Sequence, residues 1–281
     1  MGAISGDRWG KMVEPMEDDP PRHPTGRTGP GRHRVAVLLL ATTSGALDAI
    51  GFLGLGGVFA SVMTGNLVLL GLSGGTRDGS LAARTAVAIG WYVVGVAVGT
   101  RVARAGHPSG GRGWSRGLQW VVAVELVLVV SFTVGWEVAR STPGTPAQLV
   151  LIGMAATAMG LQGAAIRAST GTGTSTTYLT GTLTGVVATL AAGRPLREEW
   201  EGVAIILAVL AGAVLAGTAL TERSGLAPLV PLVALAAALV VARRLVAARP
   251  TRPTGPARPA RPTGPAAPST AIGEQAPGGG G

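Results

Sequence analysis

Between residues 35 and 246 the chain alternates long apolar runs with short polar or glycine-rich interruptions. Eight apolar segments can be drawn, at about 35–55, 58–72, 81–104, 117–139, 147–166, 174–192, 200–221 and 226–246. A helix rises 1.5 Å per residue, so about 20 apolar residues are needed to cross a bilayer. Six segments meet that length. The segment 58–72, VFASVMTGNLVLLGL, is too short. The segment 174–192 opens TSTTYLTGTLTG and is crowded with hydroxyls and glycine. The pattern predicts an all-α integral membrane protein with about six crossing helices and two re-entrant or broken ones.

The two exceptions occupy matching places. Thr64-Gly65-Asn66 and Thr180-Gly181-Thr182 are both Thr-Gly-polar steps, 116 residues apart. Each follows a long apolar run that ends in glycine and polar residues, SGALDAIG (Ser44–Gly51) and MGLQGAAIR (Met159–Arg167). A shift of about 115 residues also lays 81–104 on 200–221 and 117–139 on 226–246. The pattern of segments, more than residue identity, predicts a duplication with halves at about 35–139 and 147–246.

Composition agrees with a membrane location. The chain is 47% hydrophobic and 13% charged, against about 25% charged in soluble domains. Its mean hydropathy is +0.43. With 23 basic and 14 acidic residues the net charge is +9. The basic residues gather at the ends and in short loops, which suits membrane orientation better than nucleic acid. There are no cysteines, which excludes disulfides, thiolate metal sites and cysteine nucleophiles. Residues 1–34, rich in Gly, Pro and Arg, read as a disordered tail without the pattern of a signal peptide. Residues 249–281 read as a second disordered tail, Pro/Arg/Gly-rich and favouring polyproline II.

The arginines discriminate between topologies. If all eight segments crossed, the loop with Arg101, Arg104, Arg112 and Arg116 would lie opposite both tails. If 58–72 and 174–192 each enter and leave on one side, that loop joins both tails, Arg167, Arg194 and Arg197. Only Arg77, Arg84, Arg140 and Arg223 then lie across the membrane. The second arrangement satisfies the positive-inside tendency. It gives three crossings per half, so the halves are inverted, both tails are cytoplasmic, and the chain is a multi-pass protein of the plasma membrane.

The runs SGALDAIGFLGLGGVFASVMTGNLVLLGL (Ser44–Leu72) and GLQGAAIRASTGTGTSTTYLTGTLTGVVATLA (Gly160–Ala191) resemble the signature of the YoaK-like family of bacterial multi-pass membrane proteins. The shared features are Asp48, Met63 to Asn66, Gly160 to Gln162, and Thr176 to Thr182. The resemblance covers about residues 35–246. One departure is Gly163-Ala164 after Gln162, where the family pattern leads one to expect a polar asparagine. The resemblance implies a helical membrane domain. It implies no activity, because the family is one of unknown function.

Few residues can carry chemistry. An aspartate inside a span costs about 2.5–3.5 kcal/mol on insertion scales, and such groups lean functional. Asp48, two-thirds along the first helix, therefore reads either as a proton- or cation-linked site or as a hydrogen-bonded packing residue. Glu125 poses the same question, but reads as nearer a helix end and able to reach the surface. Paired interrupted segments point to a transporter's midplane site. Met63, Thr64, Gly65 and Asn66 would supply one side of such a site. Gln162, Thr176, Thr177, Tyr178, Thr180, Gly181 and Thr182 would supply the other. The competing reading is packing: Ser61-x3-Gly65, Gly95-x3-Gly99 and Thr177-x3-Gly181-x3-Gly185 are small-residue stripes. Arg167 reads as a positive-inside anchor before it reads as an anion site.

The histidines, His23, His33 and His107, lack metal-ligand spacing, and no catalytic set is visible. The sequence thus predicts a transporter or channel for a small polar solute or ion, with no enzymatic activity, cofactor or metal. The alternative is a non-transporting membrane scaffold. The expected partners are the lipid bilayer and an unidentified solute, with no nucleic acid; a homo-oligomer is left open.

Overall fold

The structure, a computed structural model, describes residues 30–105, 116–139, 144–170 and 179–247. These form eight helices and no strand: α1 (Pro30–Gly54), α2 (Met63–Thr76), α3 (Gly79–Ala105), α4 (Arg116–Val138), α5 (Thr145–Thr170), α6 (Leu179–Ala191), α7 (Trp200–Glu222) and α8 (Leu229–Ala247). Short 3-10 turns at Leu196–Glu198 and Ser224–Leu226 lead into α7 and α8. Among the described residues six helical stretches are long and apolar enough to cross a membrane. The exceptions are α2, with 14 residues, and α6, with 13. At 1.5 Å per residue each reaches only about 20 Å, short of the hydrocarbon thickness. The protein is an all-α, multi-pass membrane protein.

Two boundaries move from their sequence positions. α1 starts at Pro30 instead of at the apolar run, since proline suits a first helical turn. Its early turns are also engaged, with Arg34 paired to Glu201 and its guanidinium 5.1 Å from the centre of the Trp200 ring. The helix of the second segment starts only at Met63, so 58–62 is non-helical. The tails before residue 30 and beyond 247, like the loop 106–115, lie outside the described residues.

The bundle is organised around two close crossings. α1 runs parallel to α7: Arg34 meets Glu201, Gly45 meets Val209, and Leu53 approaches Gly217. α3 runs parallel to α5: Trp91 meets Gly153, Gly95 meets Thr157, and Gly99 meets Leu161 and Ala164. At the α1–α7 crossing, a side chain on Gly45 would strike the Val209 carbonyl, and one on Gly212 the Thr42 carbonyl. At the α3–α5 crossing, one on Gly160 would strike the Tyr92 carbonyl, and one on Gly95 the Thr157 carbonyl. Only glycine lets backbones approach so closely, as in membrane helix pairs generally. The Gly95-x3-Gly99 stripe thus serves packing. α8 lies against α1, and α4 against α5 and α8.

Connectivity follows from these contacts. α3 begins where α1 ends, because Arg84 lies beside Gly56. Trp136, near the end of α4, lies against Gly54 and donates its indole N–H to the Ser224 carbonyl at 3.0 Å. Gln119, near the start of α4, donates to the Ala242 carbonyl near the end of α8 at 3.1 Å. One end of the bundle therefore carries the start of α1, Arg101, Arg104, Arg167 and the start of α7, with Arg243 and Arg244. The other carries Arg77, Asp78, Arg84, Glu137 and Arg223. The chain from α1 to α3 enters and leaves at this second end. The stretch from α5 to α7 begins and ends at the first. α6 lies antiparallel to the start of α7, with Thr182 against Gly202 and Thr189 donating to Glu199 Oε1 at 3.2 Å.

Asp78 fixes the turn out of the first short segment. Its Oδ1 accepts the N–H groups of Ser80 and Leu81, each at 3.0 Å, and the Ser80 hydroxyl at 2.7 Å. This is an N-cap on α3.

The path predicts a labelling result. The background has no cysteine, so single cysteines at Thr76 and Glu222 should react with an impermeant maleimide from one side, and one at Arg194 only from the other. Reaction of Thr76→Cys and Arg194→Cys from the same side would show that the second short segment, α6, crosses the membrane fully.

Candidate functional site

The first short segment is shaped by its glycines. α1 ends with the Gly57 N–H bonded back to the Phe52 carbonyl at 3.0 Å, while Gly56 and Gly57 take φ of 85° and 83°. That left-handed backbone favours glycine and terminates the helix. The chain then doubles back along α1. A β-carbon at Gly51 would come within 2.6 Å of the Val58 carbonyl oxygen, so this return path needs glycine on α1 as well. It runs inward from Gly51 past Asp48 to Ser44, where Ser61 donates and receives hydrogen bonds.

Asp48 is the anchor of that return. Its Oδ1 accepts the Ser61 N–H at 2.7 Å and its Oδ2 the Ser61 hydroxyl at 2.5 Å. The N–H groups of Ala60 and Val62 flank the same carboxylate. Ser44 donates its hydroxyl to the Ser61 hydroxyl at 2.9 Å. Consecutive N–H groups at the start of α2 make a nest of partial positive charge, suited to a carboxylate. Asp48 remains partly exposed, while Ser44 and Ser61 are buried.

Asn66 performs a related task one turn into α2. Its Oδ1 accepts the Phe59 N–H at 2.9 Å and its Nδ2 donates to the Phe59 carbonyl at 2.7 Å. The amide thus replaces a missing backbone partner for the non-helical segment, which the membrane interior requires. The Met63 sulfur lies 3.8 Å from the same Nδ2. Gly65 leaves room for the Phe59 ring, which stacks on Phe52 with centroids 5.2 Å apart. Thr64 faces outward and is exposed.

The second motif is placed differently. Gln162 on α5 is buried and donates its Nε2 to the Leu40 carbonyl of α1 at 3.0 Å. Leu40 lies two turns before Asp48, so Gln162 is not part of the Asp48 cluster. Thr180 and Gly181 are exposed, and Thr182 lies against Gly202 of α7. Thr176, Thr177 and Tyr178 lie outside the described residues. α2 packs on α3 and α6 on α7, and α2 and α6 are not a principal packing pair. The structure therefore gathers Asp48, Met63, Gly65 and Asn66 with Ser44 and Ser61. It leaves Gln162 and Thr180 to Thr182 elsewhere.

Two features escaped the sequence reading. Ser44 stands one helical turn before Asp48, a spacing that puts both on one face of α1; that signal was legible. Glu125 is a correction. It sits midway along α4 and is fully buried, and among the described residues neither carboxylate oxygen has a hydrogen-bond partner. Its position among Val121, Val122, Val129 and Phe132, all buried, turns it inward and keeps it from the surface.

Comparison with known proteins agrees with this architecture. The chain is 32% identical over 146 residues to the UPF0700 transmembrane protein YoaK of Bacillus subtilis (strain 168). The match spans 52% of this chain and 61% of that relative. No solved structure matches the chain. Residues 36–242, from the second turn of α1 into α8, match the family described as "protein of unknown function (DUF1275)", and the chain belongs to that family.

Proposed function

We propose that the protein is a transporter or channel for a small polar solute or ion, with Asp48 as its principal binding group and both tails cytoplasmic. The observation that carries this reading is the return path of 58–62, which brings Ser61 and the start of α2 to a carboxylate inside the span. A non-helical backbone at membrane depth is tolerated where protein or a water-filled cavity surrounds it. The two crossings add support. Thr42 and Gly45 against Val209 and Gly212 correspond to Thr157 and Gly160 against Tyr92 and Gly95, each about 115 residues from its counterpart. The α1–α7 and α3–α5 partnerships thus exchange under the proposed duplication, as inverted repeats would require. On this reading the two Thr-Gly segments enter from opposite faces. Each acts as the gate of one face, rather than as half of a single pocket.

The scaffold reading has its own observation: every polar atom of Asn66 is taken up in folding the loop. Uptake into sealed vesicles separates the two. Asp48→Asn should keep the fold, since an amide still accepts from Ser61, and should reduce uptake of the transported solute by about tenfold or more, about 1.4 kcal/mol or above. If wild-type protein moves nothing across a broad panel of ions and small polar solutes, and Asp48→Asn changes only stability, the transporter reading fails.

A further inference from the structure

We propose that Glu125 is a proton-binding site in the core of the bundle, separate from the Asp48 cluster, and that Gln162 is its acceptor. Glu125 is fully buried on α4, and among the described residues both of its oxygens lack a partner. On the adjacent helix α5, Gln162 is buried as well. It uses its Nε2 on the Leu40 carbonyl, but no described residue donates to its Oε1. The two side chains lie at similar depth, each about nine residues, or roughly 13 Å, from the same end of the bundle. They are complementary in one protonation state only. A carboxylate and an amide oxygen are both acceptors, whereas a carboxylic acid supplies the one donor that Gln162 Oε1 lacks.

Among the described residues no cation faces Glu125. α4 packs against α3, α5 and α8. On α3, Arg101 and Arg104 are exposed near one end, and Arg84 lies beside Gly56 at the other. On α5, Arg167 is exposed in the last turn, and on α8 so are Arg243 and Arg244. Within α4, Glu137 is exposed at the far end. An unpaired buried carboxylate costs several kcal/mol, so in this arrangement the group is the neutral acid. An apolar pair would fill the same space without desolvating an acid and an amide. The polar pair is therefore matched to a second arrangement, in which α4 shifts on α5 and the acid gives its proton to water as the carboxylate gains solvation.

The site stands independently of any solute. It is read by infrared difference spectroscopy of the protein in lipid, as the carbonyl band of a protonated carboxylic acid. Wild type should show a band that Glu125→Gln lacks, and the band should fade reversibly between mildly acidic and mildly alkaline pH. Gln162→Leu should move the band to higher frequency by removing its acceptor. If Glu125→Gln does not fold, Glu125→Asp should keep a titrating band at a shifted position. A spectrum identical in wild type and Glu125→Gln overturns the proposal. So does a band that never changes with pH, which would make Glu125 a static packing residue. A Glu125 band that Gln162→Leu leaves unmoved removes Gln162 as the acceptor and overturns the paired site.

Discussion

Replacing Gly45 or Gly160 by leucine should strongly destabilise the folded bundle in detergent, while the same change at Gly71 or Gly185 should leave it intact. The difference lies in what a side chain would meet. At Gly45 and Gly160 it meets the backbone carbonyl of the facing helix, at Val209 and Tyr92. A backbone cannot rotate aside as a side chain can, so the helices must separate. Overpacking a core costs about 1–3 kcal/mol, occasionally more, and a clash with backbone belongs at the upper end of that range. Separation also forfeits the close van der Waals contact that holds membrane helices together. At Gly71 on α2 and Gly185 on α6 nothing lies within 4 Å. Thermal unfolding of the solubilised protein, followed by size-exclusion chromatography, reads the effect. Losses of similar size at Gly45 and Gly160 are expected, because each supports an equivalent crossing. A Gly45→Leu protein as stable as wild type would show that α1 and α7 do not meet there.

Asn66→Ala should cost about 2–4 kcal/mol of stability, far more than Thr64→Ala two residues away. Asn66 is fully buried and satisfies both the N–H and the carbonyl of Phe59. Alanine leaves two backbone groups without partners, each worth about 1–3 kcal/mol when buried. Asn66→Asp restores only half of the clasp. Its carboxylate accepts from the Phe59 N–H but opposes the Phe59 carbonyl, so it should also be unstable. Thr64 is exposed, and surface changes stay within about 0.5 kcal/mol. Chemical denaturation in mild detergent compares the three. If Asn66→Ala keeps wild-type stability but loses uptake, Asn66 is a solute ligand and the clasp is incidental.

Some of this protein was written locally and some was not. Six uninterrupted apolar runs required six long helices, because a helix satisfies its own backbone within one segment and needs no distant partner. The shortness of 58–72 and the placing of arginines likewise fixed which ends of the helices lie together. Those are properties of length and charge along the chain. What Asn66 binds is different in kind. Its amide looked available for a solute, yet it closes on Phe59, and only the reversal at Gly56 and Gly57 brings that backbone within reach. Glu125 reads as a residue near a helix end, yet the packing of α4 against α5 and α8 buries it with no hydrogen-bond partner among the described residues. Gln162 shares a motif with the second Thr-Gly step, but it contacts α1. Hydropathy and charge are summed along the sequence and survive any rotation of a helix. The partners of Asn66, Gln162 and Glu125 depend on how each helix is turned about its axis, and that is set by glycine contacts between segments far apart in the chain.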